Sequence, residues 1–413
     1  MKRFPLLFAV LAVVAVLSGT VVFAQNGLPI LSQTGRTEID SILTNAVQRG
    51  VFPGVVAVVA NKDGILYEGA FGLMDVGKQK PMQKDTIFRI ASMTKPVTSA
   101  AIMMLVEQGK VRLDDPASKY LPAFKDREVI ATFDPADSAF TTKKANKEVL
   151  IRHLLANTSG LAYTFSNDTS NRLQRKLSKP AEELPLLYEP GTRWTYSGST
   201  KVLGLVVEKI TGAGLDRFYE ERIFKPLELQ DTAFVVPAAK AARVVTVQRR
   251  EAAKLVETPN PATIQSPVAG DGGLHSTAAD YIKFLQMFLN DGKFRGATLL
   301  KKDSIQAMSK NQIGDVIVQT QTTTNPGLSQ NFPVGAGRDK FGFGFQITAS
   351  NAENRNLRSP GSYTWAGIYN THFWVDPNRR IAAVIMMQVL PFYDEGAMKV
   401  YQDVEAAIGK NLK

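Results

Sequence analysis

The sequence predicts an α+β (α/β) chain of two lobes: an antiparallel sheet flanked by helices, and a mostly helical lobe inserted between the two halves of that sheet. Three observations carry this. Strand-like runs gather near the two ends of the 413-residue chain, helix-sized patterns crowd its middle, and amphipathic helices open and close the sheet-forming parts. A chain of this length can bury a large core in more than one lobe.

The first element is a helix over 37–49, where Ile39, Ile42, Leu43 and Val47 fall near helical spacing. Strands over 54–61 and 64–71 follow, split by the turn signal Lys62-Asp63-Gly64. A second helix begins at about Ser92, because Pro96 is tolerated only near a helix start, and its apolar run stops at Gly109. From 114 to 267 strand signals are few. Helical patterns over 146–156, 181–188, 199–211 and 215–223 are joined by loops rich in Asp, Thr, Ser and Pro. Beyond Gly270-Asp271-Gly272-Gly273 a helix over 278–289 leads back to the sheet. Residues 314–339 are polar and rich in Gly, Thr, Asn and Pro, the pattern of a functional rim or a mobile stretch. Strands over 343–349, 370–375 and 381–388 and a helix over 396–408 close the chain. The expected division is 36–113 with 268–413 as the α/β lobe, 114–267 as the helical lobe, and the active site between them.

Composition narrows the functional classes. Apolar (44%) and charged (21%) fractions are those of an ordinary globular protein. Lys2 and Arg3 precede an apolar run over 4–17. Ser18-Gly19-Thr20 follows, with Val22 and Ala24 at −3 and −1 of a cut after Ala24. This is the pattern of a secretory signal peptide over 1–24, so the protein is expected to be exported, to a periplasm or the medium, with no stable membrane span after cleavage. Without any cysteine there are no disulfides, thiol nucleophiles, thiolate metal sites or lipobox. The net charge of +11 is spread in pairs such as Lys143-Lys144 and Arg379-Arg380, which is a solvated basic surface rather than a nucleic-acid site. No metal or organic cofactor is expected.

The sharpest chemical signal is Ser92-Met93-Thr94-Lys95, an S-x-x-K at the head of a long apolar helix. Residues three apart share one face of the first turn. A serine hydroxyl needs a base, and lysine, with a usual pKa of about 10.4, serves as one where burial or a helix N-terminus disfavours its charged form. The three histidines offer no rival. No G-x-S-x-G elbow occurs, and His153, His275 and His372 sit in structural contexts, without the spacing of a metal site. Tyr363, Trp365, Tyr369, Phe373 and Trp374 form an aromatic stretch that lines an acyl pocket or fills core.

Four ordered motifs then carry a resemblance that spans about residues 36–408. Phe88-Arg89-Ile90-Ala91-Ser92-Met93-Thr94-Lys95 resembles the first motif of serine β-lactamase-fold (penicillin-recognising) hydrolases. Residues 151–161, ending Asn157-Thr158-Ser159-Gly160-Leu161, resemble their LL-x-x-TSGL segment. Pro190-Gly191-Thr192-Arg193-Trp194-Thr195-Tyr196-Ser197 resembles their second motif, and Gly272-Gly273-Leu274-His275-Ser276-Thr277 also matches. The resemblance implies the serine β-lactamase/DD-peptidase fold, Ser92 as nucleophile, and Lys95 and Tyr196 as its proton-relay partners. It also implies an oxyanion hole from the backbone N–H groups of Ser92 and Ile368.

Within this group the chain is most similar to the family VIII carboxylesterases. Trp365-Ala366-Gly367 stands where class C β-lactamases have K-T-G, and is expected to contact substrate. Tyr196-Ser197-Gly198 lacks the asparagine of the lactamases' Y-x-N. Both losses remove groups that would hold a β-lactam, so a carboxylesterase acting on small to medium acyl esters through acyl-Ser92 is the expected activity. A D-amino-acid peptidase or amide hydrolase, or a weak β-lactamase, is the alternative. An acyltransferase and a non-catalytic penicillin-binding-like receptor stand further back.

Overall fold

The computed structural model describes residues 27–349 and 357–413; the expected signal peptide lies outside them. Helix α1 (Gln33–Gln48) starts earlier than its periodicity indicates, because the Ser32 hydroxyl accepts the Gly35 N–H and caps it. Strands β1 (Gly54–Ala60) and β2 (Ile65–Asp75) form a hairpin. Its turn is fixed by the Asn61 Oδ1, which accepts the N–H groups of Asp63 and Gly64. After β3 (Lys80–Pro81) come α2 (Thr94–Glu107), α3 (Ser199–Thr211) and α4 (Ala278–Leu289). Then follow β4 (Lys340–Phe341), β5 (Gln346–Ile347), β6 (Tyr363–Gly367), β7 (Thr371–Asp376), β8 (Ile381–Met386) and α5 (Glu395–Asn411).

The eight strands make one antiparallel sheet in the order β4-β5-β6-β7-β8-β1-β2-β3. Its centre is the pairing of β1 with β8, Val56 facing Met386 and Val58 facing Val384, so the first hairpin of the chain closes against its last long strand. Both faces are covered. Val55, Ala57, Val59, Trp374, Ala383 and Ile385 pack under α1 and α5, while Val56, Val58, Phe373, Val375 and Val384 pack toward α2 and α4. Strands buried on two sides read as unbroken apolar runs, as Gly54–Ala60 does.

Everything between α2 and α4 is an excursion from this sheet, and it differs from its expected content. The pattern over 146–156 yields a helix only at Ile151–Leu155, because Leu150 is extended and bridges to Pro116. The pattern over 181–188 yields one 3-10 turn, Ala181–Glu183, because Leu184 before Pro185 is held in the extended region. A helix at Asp168–Leu177, capped by Asn167, and two hairpins, Glu128–Phe133 with Phe140–Lys144 and Val247–Glu251 with Lys254–Thr258, were not expected. Among the described residues no helix is long and apolar enough to cross a membrane.

Helix α2 lies between the sheet and the excursion, and Thr94 through Leu105 are buried around its whole circumference. Most of that run is apolar, as a helix buried on all sides requires, with Thr94, Thr98 and Ser99 as buried polar residues and Lys95, 1% exposed, as its one charge. A lysine sealed in this way needs partners for its nitrogen, and those partners define the site.

Candidate active site

Ser92 sits in a 3-10 turn, Ala91–Met93, that runs straight into α2, so the helix reaches Ser92 as 3-10 rather than α. Ala91 takes a left-handed backbone (φ +43°) just before it. An L-residue there costs about 1 kcal/mol or more, a strain that the surrounding contacts hold at the serine. The Ser92 side chain remains partly exposed while Lys95, one turn on, is buried.

The structure brings Ser92, Lys95 and Tyr196 together. Lys95 Nζ is 3.1 Å from Ser92 Oγ, and Tyr196 Oη donates to the same oxygen at 2.6 Å. Lys95 Nζ also donates to the backbone oxygen of Asp271 at 2.7 Å and to Tyr163 Oη at 3.1 Å. Lys95 Nζ lies over both tyrosine rings, 5.1 Å from the centre of Tyr163 and 4.8 Å from that of Tyr196. Tyr163 Oη in turn donates to the Asp271 carboxylate. Desolvation first, then the Asp271 carboxylate, push the Tyr163 phenol well above its ordinary range, so it keeps its proton.

Two segments hold the tyrosines in place. The Tyr163 N–H donates to the Tyr196 carbonyl at 3.1 Å, and Ser197 Oγ donates to Asn157 Oδ1 at 3.1 Å, which ties the 157–163 loop to the 195–199 loop. The polar stretch 314–339 forms the rim: Gln321 Oε1 accepts the Tyr196 N–H at 3.0 Å, and Phe332 stands edge-on to the Tyr196 ring at 5.5 Å.

Trp365 packs against Tyr196 with ring centres 5.1 Å apart and planes tilted by 52°. Ala366 faces His372 across β6 and β7, and Gly367 backs onto Ile90 so closely that a β-carbon there would lie 2.3 Å from the Ile90 carbonyl oxygen. The strand end that leads to Ile368 therefore runs alongside the Ser92 segment. Phe332, Trp365 and Ala366 also line a cavity of about 90 Å³ whose other walls include His372, Tyr393 and Tyr401. Of the aromatic stretch, only Trp365 meets Tyr196. Tyr363 and Phe373 pack with Phe345 in the core, and Trp374 lies on the opposite face against Tyr401.

The three histidines stand apart from this cluster. Burial lowers His153 to about 4, His275 to about 4 and His372 to about 3. His153 Nδ1 accepts the Leu150 N–H at 3.2 Å, a helix-capping role. No group of side chains among the described residues has the make-up of a metal site.

Tyr163 and Asp271 are the two residues that reading the sequence for chemistry passes over. Each had a signal: Tyr163 falls two places after Ser159-Gly160-Leu161, and Asp271 is an acid set in a run of glycines.

Comparison with known proteins finds relatives along most of the chain. Protein Rv1367c of Mycobacterium tuberculosis is 34% identical over 359 residues, covering 83% of this chain and 87% of its own. Esterase EstB of Burkholderia gladioli is 28% identical over 376 residues, covering 82% and 86%, and relatives named as methylbutanoyltransferases are also matched. The structure of simvastatin synthase from Aspergillus terreus superposes with a TM-score of 0.77 over 91% of this chain and 98% of that one, at 24% identity, which is a likeness of fold. The Beta-lactamase family model matches residues 39–408, and with nearly the whole described chain inside that span the protein belongs to the Beta-lactamase family of serine hydrolases.

Proposed function

We propose that the chain is an exported carboxylesterase of the family VIII type, acting on small to medium acyl esters through an acyl-Ser92 intermediate. The observation that carries this reading is the position of Ser92 Oγ, 3.1 Å from a buried lysine nitrogen and 2.6 Å from the hydroxyl of Tyr196. Within hydrogen-bond reach of two proton-transfer groups, a serine is equipped for nucleophilic catalysis.

Ser92 Oγ attacks the ester carbon, and its proton passes to the Lys95–Tyr196 pair as the new C–O bond forms. The negative charge on the carbonyl oxygen is met by the N–H groups of Ser92 and Ile368. The close seat of Gly367 on Ile90 supports this pairing. The pair returns the proton to the leaving alkoxide, the alcohol departs, and water then cleaves the acyl-enzyme with Tyr196 as base. Trp365 in the third motif offers an apolar wall beside Tyr196 where a lysine would attract a carboxylate.

Turnover of p-nitrophenyl butyrate and of a chromogenic cephalosporin, each with Ser92→Ala as control, tests the reading. Fast ester cleavage lost in the control, with little lactam cleavage, is the expected result. Fast lactam cleavage, or neither reaction, would refute it. A second reading, acyl transfer to an alcohol, draws on the methylbutanoyltransferases among the relatives. Product analysis with added alcohol acceptors separates it from hydrolysis.

A further inference from the structure

Lys95 Nζ has three oxygen neighbours, and the direction of each hydrogen bond follows from the chemistry of the neighbour. The Asp271 carbonyl can only accept. Tyr163 Oη carries a single proton, which it gives to the Asp271 carboxylate, so toward Lys95 it can only accept as well. Two of the three positions around the lysine nitrogen are thereby committed to N–H bonds. The third points at Ser92 Oγ, 3.1 Å away, and is the one position where an unprotonated nitrogen can take the serine proton.

Both oxygens of this clamp come from one residue or are governed by it. The loop of Asp271 is itself held from α2 and the segment leading into it: Thr98 Oγ1 donates to the Gly270 carbonyl, Leu274 N–H donates to Thr94 Oγ1, and, just before the Ser92 turn, Ile90 N–H donates to the Leu274 carbonyl. The helix that carries Lys95 therefore also fixes the loop that orients it.

We propose that Asp271 is a positioning residue: by taking the only proton of Tyr163 it makes the Tyr163 oxygen an acceptor for Lys95, and so turns the free valence of Lys95 onto Ser92. This rests on Ser92 being the nucleophile. Without the carboxylate, the Tyr163 hydroxyl rotates to donate to Lys95. The lysine nitrogen is then capped by the wrong proton, although no group touching substrate has been removed.

The test is the rate at which a fluorophosphonate probe modifies Ser92. In that step the serine oxygen bonds to phosphorus, fluoride leaves, and the serine proton passes to the Lys95–Tyr196 pair. The intact chain is expected to label, and Ser92→Ala is not. Asp271→Ala is expected to label about 10- to 100-fold more slowly, the scale for a misdirected catalytic group, with its thermal unfolding midpoint still cooperative. Asp271→Asn keeps an acceptor oxygen for Tyr163 and is expected to recover most of the rate.

The double variant Asp271→Ala with Tyr163→Phe lacks the misplaced proton, and is expected to be no slower than Tyr163→Phe alone. A double variant whose losses multiply would overturn the proposal, because a loosened loop and a lost tyrosine would then act independently. An Asp271→Ala rate equal to that of the intact chain would also overturn it while leaving Ser92 in place. Failure of the intact chain to label, or equal labelling of Ser92→Ala, would overturn the nucleophile and this inference together.

Discussion

Tyr196→Phe removes one oxygen and nothing else from the centre of the site. The ring stays, and with it the contacts to Tyr163, Phe332 and Trp365 at 4.9, 5.5 and 5.1 Å between centres. The lost group is the donor 2.6 Å from Ser92 Oγ. Ser92 still has Lys95 at 3.1 Å, so no buried serine hydroxyl is stranded and the stability cost is that of one ordinary hydrogen bond, about 0.5–1.5 kcal/mol. Under the proposed mechanism the catalytic cost is larger, since the proton route to the leaving alcohol and the base for the attacking water would be lost together. A proton-transfer group contributes about 10²–10⁴-fold, or about 2.7–5.4 kcal/mol of barrier. The assay is kcat/KM for p-nitrophenyl butyrate beside a urea unfolding curve. A rate within about threefold of the parent, on a scale where the expected loss is at least about 10²-fold, would refute the role assigned to Tyr196.

Three further outcomes follow from the structure. Thr98→Val keeps the shape but leaves the Gly270 carbonyl and Tyr219 Oη without their shared hydroxyl. It should lower stability in urea by about 1–3 kcal/mol and slow the enzyme by loosening the Asp271 loop; an unchanged midpoint would sink this. Gly367→Ala places a β-carbon 2.3 Å from both the Ile90 carbonyl oxygen and Thr371 Oγ1, so it should cost about 1–3 kcal/mol and reduce kcat, and a fully active, equally stable variant would contradict the packing. His372 is held neutral by burial down to about pH 3, whereas the unfolded chain takes up that proton near 6.5. Its contribution to stability is therefore complete above about pH 6.5 and is lost progressively below it, about 2 kcal/mol by pH 5. His372→Phe should reduce the fall in urea-derived stability between pH 7 and 5 by that amount, and an unaltered fall would show that His372 is not the group responsible.

How much of this was legible beforehand varies with the kind of information each feature needs. Ser92, Lys95 and Tyr196 could be read because their chemistry lies in local words: a serine and lysine three apart, Pro96 marking the turn, and a tyrosine in a Pro-Gly-Thr segment. The apolar runs of β1 and β8 were equally plain, because burial on both faces leaves no polar interruptions. Tyr163 and Asp271 were not. They are single polar residues in loops 108 positions apart, and they meet only because α2 anchors one loop while Tyr196 anchors the other. The hairpin Glu128–Phe133 with Phe140–Lys144 was hidden for another reason: it is largely exposed, and its apolar residues (Val129, Ile130 and Ala131 in a row, Phe133 and Phe140 at the ends) do not alternate with polar ones. The helix expected over 181–188 failed on one residue, Pro185, whose restriction on Leu184 outweighs the helical preference of its neighbours.

The pairing of β1 with β8 sets a condition on how the chain reaches its folded state. Val56 and Met386 are separated by nearly the whole sequence, so the central ladder is a contact of very high sequence separation. Contacts of that kind form late, because the chain between them must be confined before they return any free energy. During synthesis the first hairpin emerges with one long edge of unpaired N–H and C=O groups, and nothing made before the final strands can satisfy it. Helix α2 rests on that same sheet, so the turn that carries Ser92 and Lys95 has no floor until then. Ser92 and Lys95, the proposed nucleophile and its partner, are therefore expected to come together only in a finished molecule, and a nascent or truncated chain would hold both residues without holding the site.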